Sequence, residues 1–72
     1  MIDISVFPMR KLPDGSAEIA DFPFDPEFWD VLVRNEDGDV LDEVEDLPTS
    51  EAAEAVVTSF LAKYPDASVD YV

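Results

Sequence analysis

The sequence has 72 residues, a hydrophobic content of 47% and a formal net charge of −14, with eighteen Asp and Glu against four Lys and Arg. One domain and one core fit this length, and the apolar content is too high for a chain that composition keeps unfolded, so we predict a single acidic domain over residues 1–72. The charge excludes nucleic acid and anionic membrane as direct partners, because proteins bind both by neutralising phosphates with Lys and Arg.

The N-terminal segment predicts a β-hairpin. Residues 1–6 alternate apolar with polar side chains, which is the period of a half-buried strand. Pro8 is expected to end regular pairing or to mark an edge, since proline has no N–H to donate. Residues 12–16 combine Pro, Asp and Gly in the manner of a turn, and residues 17–22 return as a second short strand.

A second hairpin is predicted after an aromatic crossover. Residues 22–28 hold three Phe and two Pro, too much proline for the interior of a strand and too many apolar side chains for a free linker. We therefore predict an ordered crossover loop there, followed by a third strand at residues 29–34. The loop at residues 35–39 contains Asn, Asp and Gly, and a fourth strand is predicted at residues 40–44.

The helix is the clearest predicted element. Thr49 or Ser50, directly after Pro48, can cap its first turn. Lys63 lies where the last turn favours a positive charge, and Pro65 is expected to end the helix. Apolar residues recur at helical spacing along one stripe: Ala53, Val56, Val57, Phe60, Leu61 and Tyr64.

The last segment, residues 67–72, alternates again and predicts a strand that returns to the sheet. The element order is therefore β-β-β-β-α-β, an α+β fold in which one helix packs on one face of a mainly antiparallel sheet. Strand order does not follow from the sequence. In the predicted core, helix residues Val56, Val57, Phe60 and Leu61 face strand residues Ile2, Ile4, Val31, Val33, Val40 and Val69.

Side chains suited to catalysis are scarce. The sequence has no His and no Cys, so the commonest general base, the commonest metal ligand and the best nucleophile are missing. We therefore predict no enzymatic activity, no catalytic residues and no cofactor. The lack of Cys favours a reducing compartment. Neither a signal peptide nor an apolar stretch of membrane-spanning length is expected, which predicts a cytoplasmic protein.

One loop resembles part of a calcium site. Residues 35–39 are Asn-Glu-Asp-Gly-Asp, similar to an EF-hand loop, whose sixth position is glycine. If Gly38 takes that position, the first and last ligand positions fall on Val33 and Val44, whose side chains cannot bind calcium. The loop therefore predicts a solvated hairpin turn and no metal site.

The acids are concentrated in one segment, which we name the acidic hairpin. Seven of the eleven residues from position 36 to position 46 are acidic: Glu36, Asp37, Asp39, Asp42, Glu43, Glu45 and Asp46. On a strand, alternate side chains share a face at a separation of about 6.6 to 6.8 Å, so Glu43 and Glu45 are expected on one face and Asp42 on the other. Rows of carboxylates at this spacing resemble a nucleic acid backbone as a basic groove meets it.

Aromatic residues beside acids form a second candidate surface. Phe24 and Trp29 belong to a stretch that also holds Phe22, Phe28 and Glu27. Most of these rings are needed for the core of so small a protein. A ring left exposed would anchor a partner, because interfaces favour such residues and the nearby carboxylates would pair with an opposing Arg.

Two hypotheses of function follow. In the first, the acidic hairpin binds a partner protein and occludes a basic surface that binds nucleic acid. In character alone, such a chain resembles phage-encoded inhibitors of restriction or CRISPR systems and some antitoxins. In the second, the chain is a housekeeping interaction domain or subunit of a salt-adapted organism, with acidity that preserves solubility and a contact surface on the aromatic loop.

Overall fold

The computed structural model describes residues 1–21 and 23–72, and within these residues five strands form one sheet with one helix against it. In chain order the elements are β1 (Asp3–Lys11), β2 (Ala17–Ile19), β3 (Phe28–Arg34), β4 (Val40–Leu47), α1 (Ser50–Lys63) and β5 (Ser68–Tyr71). This order confirms the predicted α+β fold. The end of the predicted second strand, Phe22, lies outside the described residues.

Strand β1 is at the centre of the sheet. It pairs antiparallel with β3 along one edge, and β4 pairs antiparallel with the far side of β3. Along its other edge β1 pairs first with β5, in parallel, and then with β2, antiparallel. The sheet is thus mainly antiparallel, as predicted, and β4 is an edge strand.

Strand β1 continues through Pro8 to Lys11, so the expectation that pairing ends at Pro8 is wrong, and β1 is not an edge strand either. Pro8 has no N–H to donate along the edge of β1 that pairs with β5 and β2, and β1 changes its partner strand at this point. The Val6 carbonyl accepts from the Val72 N–H at 2.9 Å, and the Pro8 carbonyl accepts from the Ala20 N–H at 2.9 Å. Pro8 therefore lies where β5 ends and β2 begins, a position that needs no donor.

Helix α1 covers one face of the sheet, which we name the helix face. The buried residues of this core come from β1, β3 and α1: Ile4, Val6, Val31, Val33, Ala53 and Val57. Partly buried residues pack around them: Ile2, Trp29, Leu47, Val56, Phe60, Leu61, Tyr64, Ala67 and Val69. The four helix residues predicted to be buried all belong to this core or pack against it, which confirms which side of α1 faces the sheet: Val56, Val57, Phe60 and Leu61.

Val40 is the exception, and its assignment to the core is wrong. Its side chain is 52% exposed. Val33 pairs with Asp42 but Arg34 pairs with Val40, so Leu41 is an extra residue in β4 at this point. The bulge places Val40 across from Arg34, on the face opposite the helix. Strict alternation from the sequence cannot reveal a bulge.

The helix ends are capped as the sequence predicts. The Thr49 hydroxyl accepts a hydrogen bond from the Ala52 N–H at 3.1 Å, which selects Thr49 over Ser50 as the N-cap. At the other end the Tyr64 N–H donates to the Phe60 carbonyl at 2.7 Å. Across residues 1–21 and 23–72, no helix combines the length and apolar content needed to span a membrane.

Candidate protein-binding surface

The tip of the acidic hairpin is a loop closed by its own asparagine. The Asn35 side-chain oxygen accepts hydrogen bonds from the N–H groups of Asp37 and Asp39, each at 3.0 Å. The Asn35 carbonyl accepts from the Gly38 N–H at 3.0 Å, and Gly38 has a φ of 87°, which glycine adopts without strain. The loop therefore holds Asp37 and Asp39 outward, as the predicted solvated turn requires.

The acids of β4 divide between the two faces of the sheet. Glu43 pairs with Leu32, on the face away from the helix, whereas Asp42 pairs with Val33 of the helix face. Glu45 is exposed and lies two residues beyond Glu43. The structure thus confirms that Asp42 points away from Glu43.

A second irregularity ends the acidic hairpin at Asp46. The register of β3 and β4 shifts between Trp29 and Val31, and Asp46 has a φ of 59°. This left-handed conformation is uncommon outside glycine, although Asp tolerates it better than most residues. The Asp46 N–H donates to an Asp30 carboxylate oxygen at 3.1 Å. The Asp46 N–H therefore remains hydrogen-bonded, although the bulge exposes the Asp46 side chain to solvent.

Asp42 belongs to a cluster that ties β4 to the end of α1. One of its carboxylate oxygens accepts from the Tyr64 hydroxyl at 2.6 Å and from the Lys63 ammonium at 2.9 Å. The Tyr64 hydrogen bond, and then the Lys63 hydrogen bond, lower the pKa of Asp42 below its ordinary value. The hydrogen bond to Asp42 in turn raises the pKa of Lys63 and of Tyr64. Asp42 is thus separated from the other acids of the hairpin and already has a cation.

Most of the acidic hairpin has no such partner. Within residues 1–21 and 23–72 the ion pairs join Lys63 to Asp42, Arg10 to Glu18, and the N-terminal ammonium to Glu36. The Glu36 pair is 3.3 Å long and its two partners are 70% and 78% exposed, so it contributes little. Five exposed acids of the hairpin have no ion pair in the described part of the chain: Asp37, Asp39, Glu43, Glu45 and Asp46.

The structure separates the two aromatic candidates. Phe24 is 53% exposed, and the Arg10 guanidinium carbon lies 3.8 Å from its ring centroid. This cation–π contact holds the ring in place at the surface. Trp29 instead packs against the core and is only partly exposed. Phe24 therefore retains the character of an anchor, and Trp29 contributes to packing.

The face away from the helix, which we name the open face, carries apolar side chains that the sequence analysis did not combine. Phe7 pairs with Asp30, and Met9 pairs with both Ile19 and Phe28. Leu32 pairs with Ser5 in the same set. Alternation of Ser5, Phe7 and Met9 was the available signal. It was lost because the first strand was expected to end near Pro8.

No metal cluster adds to these surfaces: in the described ranges, no group of three or more acidic, His or Cys side chains is placed to hold a metal ion. We found no match for the chain among protein-family models, curated proteins or solved structures. The features that bear on function are therefore the acidic hairpin, Phe24 and the open face.

Proposed function

We propose that this chain is a small acidic binding domain that occludes a basic, nucleic-acid-binding surface of a partner protein. The observation that carries the proposal is the set of five exposed acids on one hairpin for which the described residues supply no cation: Asp37, Asp39, Glu43, Glu45 and Asp46. Such a set attracts a basic protein surface and leaves the fold undisturbed when it is covered.

The mechanism is electrostatic. A net charge of −14 on 72 residues steers a cationic partner toward the chain from a distance of about one Debye length, roughly 8 Å at physiological salt. On contact, the exposed Glu43 and Glu45, two residues apart on β4, present their carboxylates in place of a nucleic acid's phosphates. This is the mode of action expected of an inhibitor in the anti-restriction or anti-CRISPR class, acting in the cytoplasm.

A second candidate function rests on Phe24. Eleven of the eighteen acids lie outside the acidic hairpin, which suits general solubility in a salt-adapted organism. Phe24 is exposed and held against Arg10, so it can anchor a partner by itself. In this alternative the chain is a housekeeping interaction domain whose acids concern solvent.

Charge reversal separates the two candidates. The double variant Glu43→Lys, Glu45→Lys should fold, since both side chains are exposed, and should slow association with the partner and weaken its salt dependence. The matched control is Glu54→Lys, Asp66→Lys, which makes the same change in net charge at exposed positions outside the hairpin. Phe24→Ala tests the alternative. Trp29 is unsuitable because it packs against the core.

The assay is a pull-down from lysate of the source cell, followed by binding kinetics of the recovered partner at several salt concentrations. The proposal expects the hairpin variant to lose the partner while the control variant and Phe24→Ala retain it. Recovery of the same partner by the hairpin variant at physiological salt would refute the acidic hairpin as the binding surface. Loss through Phe24→Ala alone would support the second candidate.

A further inference from the structure

The open face is an apolar surface that the described residues leave without a helix. Phe7, Met9 and Leu32 are partly exposed there, and Ile19 is 40% exposed beside Met9. Phe28, the partner of Met9 on β3, is the most buried of the set at 8% exposed. Adjacent positions on paired strands bring these side chains into one stripe.

At Phe24 the crossover between β2 and β3 lies on the other side of the sheet. Phe24 lies over Arg10, and Arg10 is an even number of residues from Ile4 and Val6 along β1, so it shares the helix face with them. Both α1 and this part of the crossover therefore cover the helix face.

Carboxylates lie on both sides of the stripe and within it. Glu43 pairs with Leu32 on the side of β4, and Asp70 of β5 pairs with Ser5 on the opposite side. Asp30 pairs with Phe7 and lies on β3 between Leu32 and Phe28. Two cations, Lys11 and Arg34, lie at the ends of the same face. One end of the stripe opens into a groove of about 470 Å³, lined by Lys11, Glu27, Phe28, Asp46 and Pro48.

We propose that the open face binds a basic amphipathic helix of the partner protein. The apolar side of that helix covers Phe7, Met9 and Leu32, and its Lys and Arg side chains pair with the flanking carboxylates. The stripe spans three cross-strand rows, about 13 Å, which matches roughly nine residues of helix at 1.5 Å per residue. This inference rests on the proposed function and names the surface and the element of the partner.

Charge selects this occupant over the others that an apolar sheet face can take. A second copy brings another net charge of −14 to the same contact, and two such chains repel each other. An anionic lipid surface is repelled for the same reason. A narrow stripe with acids on both sides fits one helix with a narrow apolar stripe and cations on both sides.

The test uses a synthetic peptide of about 18 residues, about five helical turns, with Leu along one face and Lys elsewhere. A control peptide has the same composition with the Leu residues dispersed around the helix. Each is titrated into the full chain at physiological salt while backbone amide chemical shifts are followed. We expect the patterned peptide to bind at least tenfold more tightly, with shifts concentrated on β1, β3 and β5 near Phe7, Met9 and Leu32.

Variants of the chain sharpen the result. Leu32→Ser should weaken the patterned peptide at least tenfold, while Tyr71→Ser, an equally polar change at an exposed residue of β5 on the helix side, should leave its affinity unchanged. Thermal melting establishes that each variant is folded. If Leu32→Ser does not fold, Asp70→Lys replaces it, because Asp70 is exposed and flanks the same stripe outside the acidic hairpin.

The outcomes distinguish this inference from the function on which it rests. Equal binding of both peptides, with shifts confined to residues 35–46, would refute the open face and leave the acidic hairpin as the binding surface. Failure of both peptides to bind would refute a basic helix as the occupant. The proposed function would then be tested separately by the pull-down with the Glu43→Lys, Glu45→Lys variant. A dimer in sedimentation that Leu32→Ser abolishes would show that a second copy occupies the face.

Discussion

Val33 and Val40 allow one chemical change to be made at a buried and at an exposed position of the same hairpin. Val33 is fully buried on the helix face, whereas the bulge at Leu41 leaves Val40 52% exposed. Val→Ala removes two methyl groups, worth about 1.6 kcal/mol of transfer free energy when buried. Adding the cavity left in a packed core, we expect Val33→Ala to lower the free energy of unfolding by about 2 to 3 kcal/mol. Val40→Ala should lower it by less than about 1 kcal/mol.

Urea unfolding followed by tryptophan fluorescence measures both changes. Trp29 is the only tryptophan, and it packs against the core that Val33 helps to form. Urea is preferable to guanidinium, because a salt would screen the repulsion among the acids. For a domain of this size the total stability is about 3 to 5 kcal/mol, so Val33→Ala should remove about half of it or more. The melting temperature should fall by roughly 10 to 20 °C.

The comparison can fail in two ways. Equal losses for the two variants would mean that Val40 points into the core and that the bulge at Leu41 is misplaced. A loss below about 1 kcal/mol for Val33→Ala would mean that the helix does not pack on this part of the sheet.

Four further predictions concern the cap, the core, the Asp42 cluster and the charge. Thr49→Ala should cost about 1 kcal/mol in urea unfolding, because it removes the N-cap, while Ser50→Ala should cost much less; equal costs would contradict the observed cap. Phe60→Ala should cost about 3 kcal/mol, and an unchanged stability would mean that α1 is turned the other way. Asp42→Asn should lower stability at pH 7. The pKa of Asp42 is depressed in the folded state, so its carboxylate stabilises the fold at pH values above the ordinary pKa of 3.8, and this stabilisation is lost as pH falls through the folded pKa. Unfolding measured at successive pH values should therefore show the difference between Asp42→Asn and wild type shrinking in acid. Added sodium chloride should raise the melting temperature by screening the unpaired acids, and a fall would refute their mutual repulsion.

Local signals in the sequence predicted what local chemistry decides. Gly38 and Asn35 specify a tight turn through side-chain and backbone geometry, and Thr49 specifies a helix start through one hydrogen bond. The alternation of Asp42 and Glu43 likewise predicted that their side chains point to opposite faces. Each of these features is settled by residues within a few positions of one another.

Features that depend on distant partners were not accessible in the same way. Pro8 is tolerated inside β1 only because β5 and β2 meet beside it, and the sequence gives no strand order from which to see that. Val40 left the core because one extra residue, Leu41, shifts the pairing with β3. The open face also depends on distant partners. The predicted first strand stops at residue 6, so Phe7 and Met9 are not assigned to a strand and the prediction places neither on a face of the sheet.

The position of β4 at the edge of the sheet gives its acids a further role. An edge strand of eight residues offers unpaired N–H and C=O groups to any other chain that can align with it. Charges such as Glu43 and Glu45, and the bulges at Leu41 and Asp46, oppose that pairing by repulsion and by bending the strand. Replacing Glu43 and Glu45 with neutral residues would therefore promote self-association through β4. Replacing them with Lys keeps the edge charged. Only the Lys variant therefore tests partner binding without also creating a strand that aggregates.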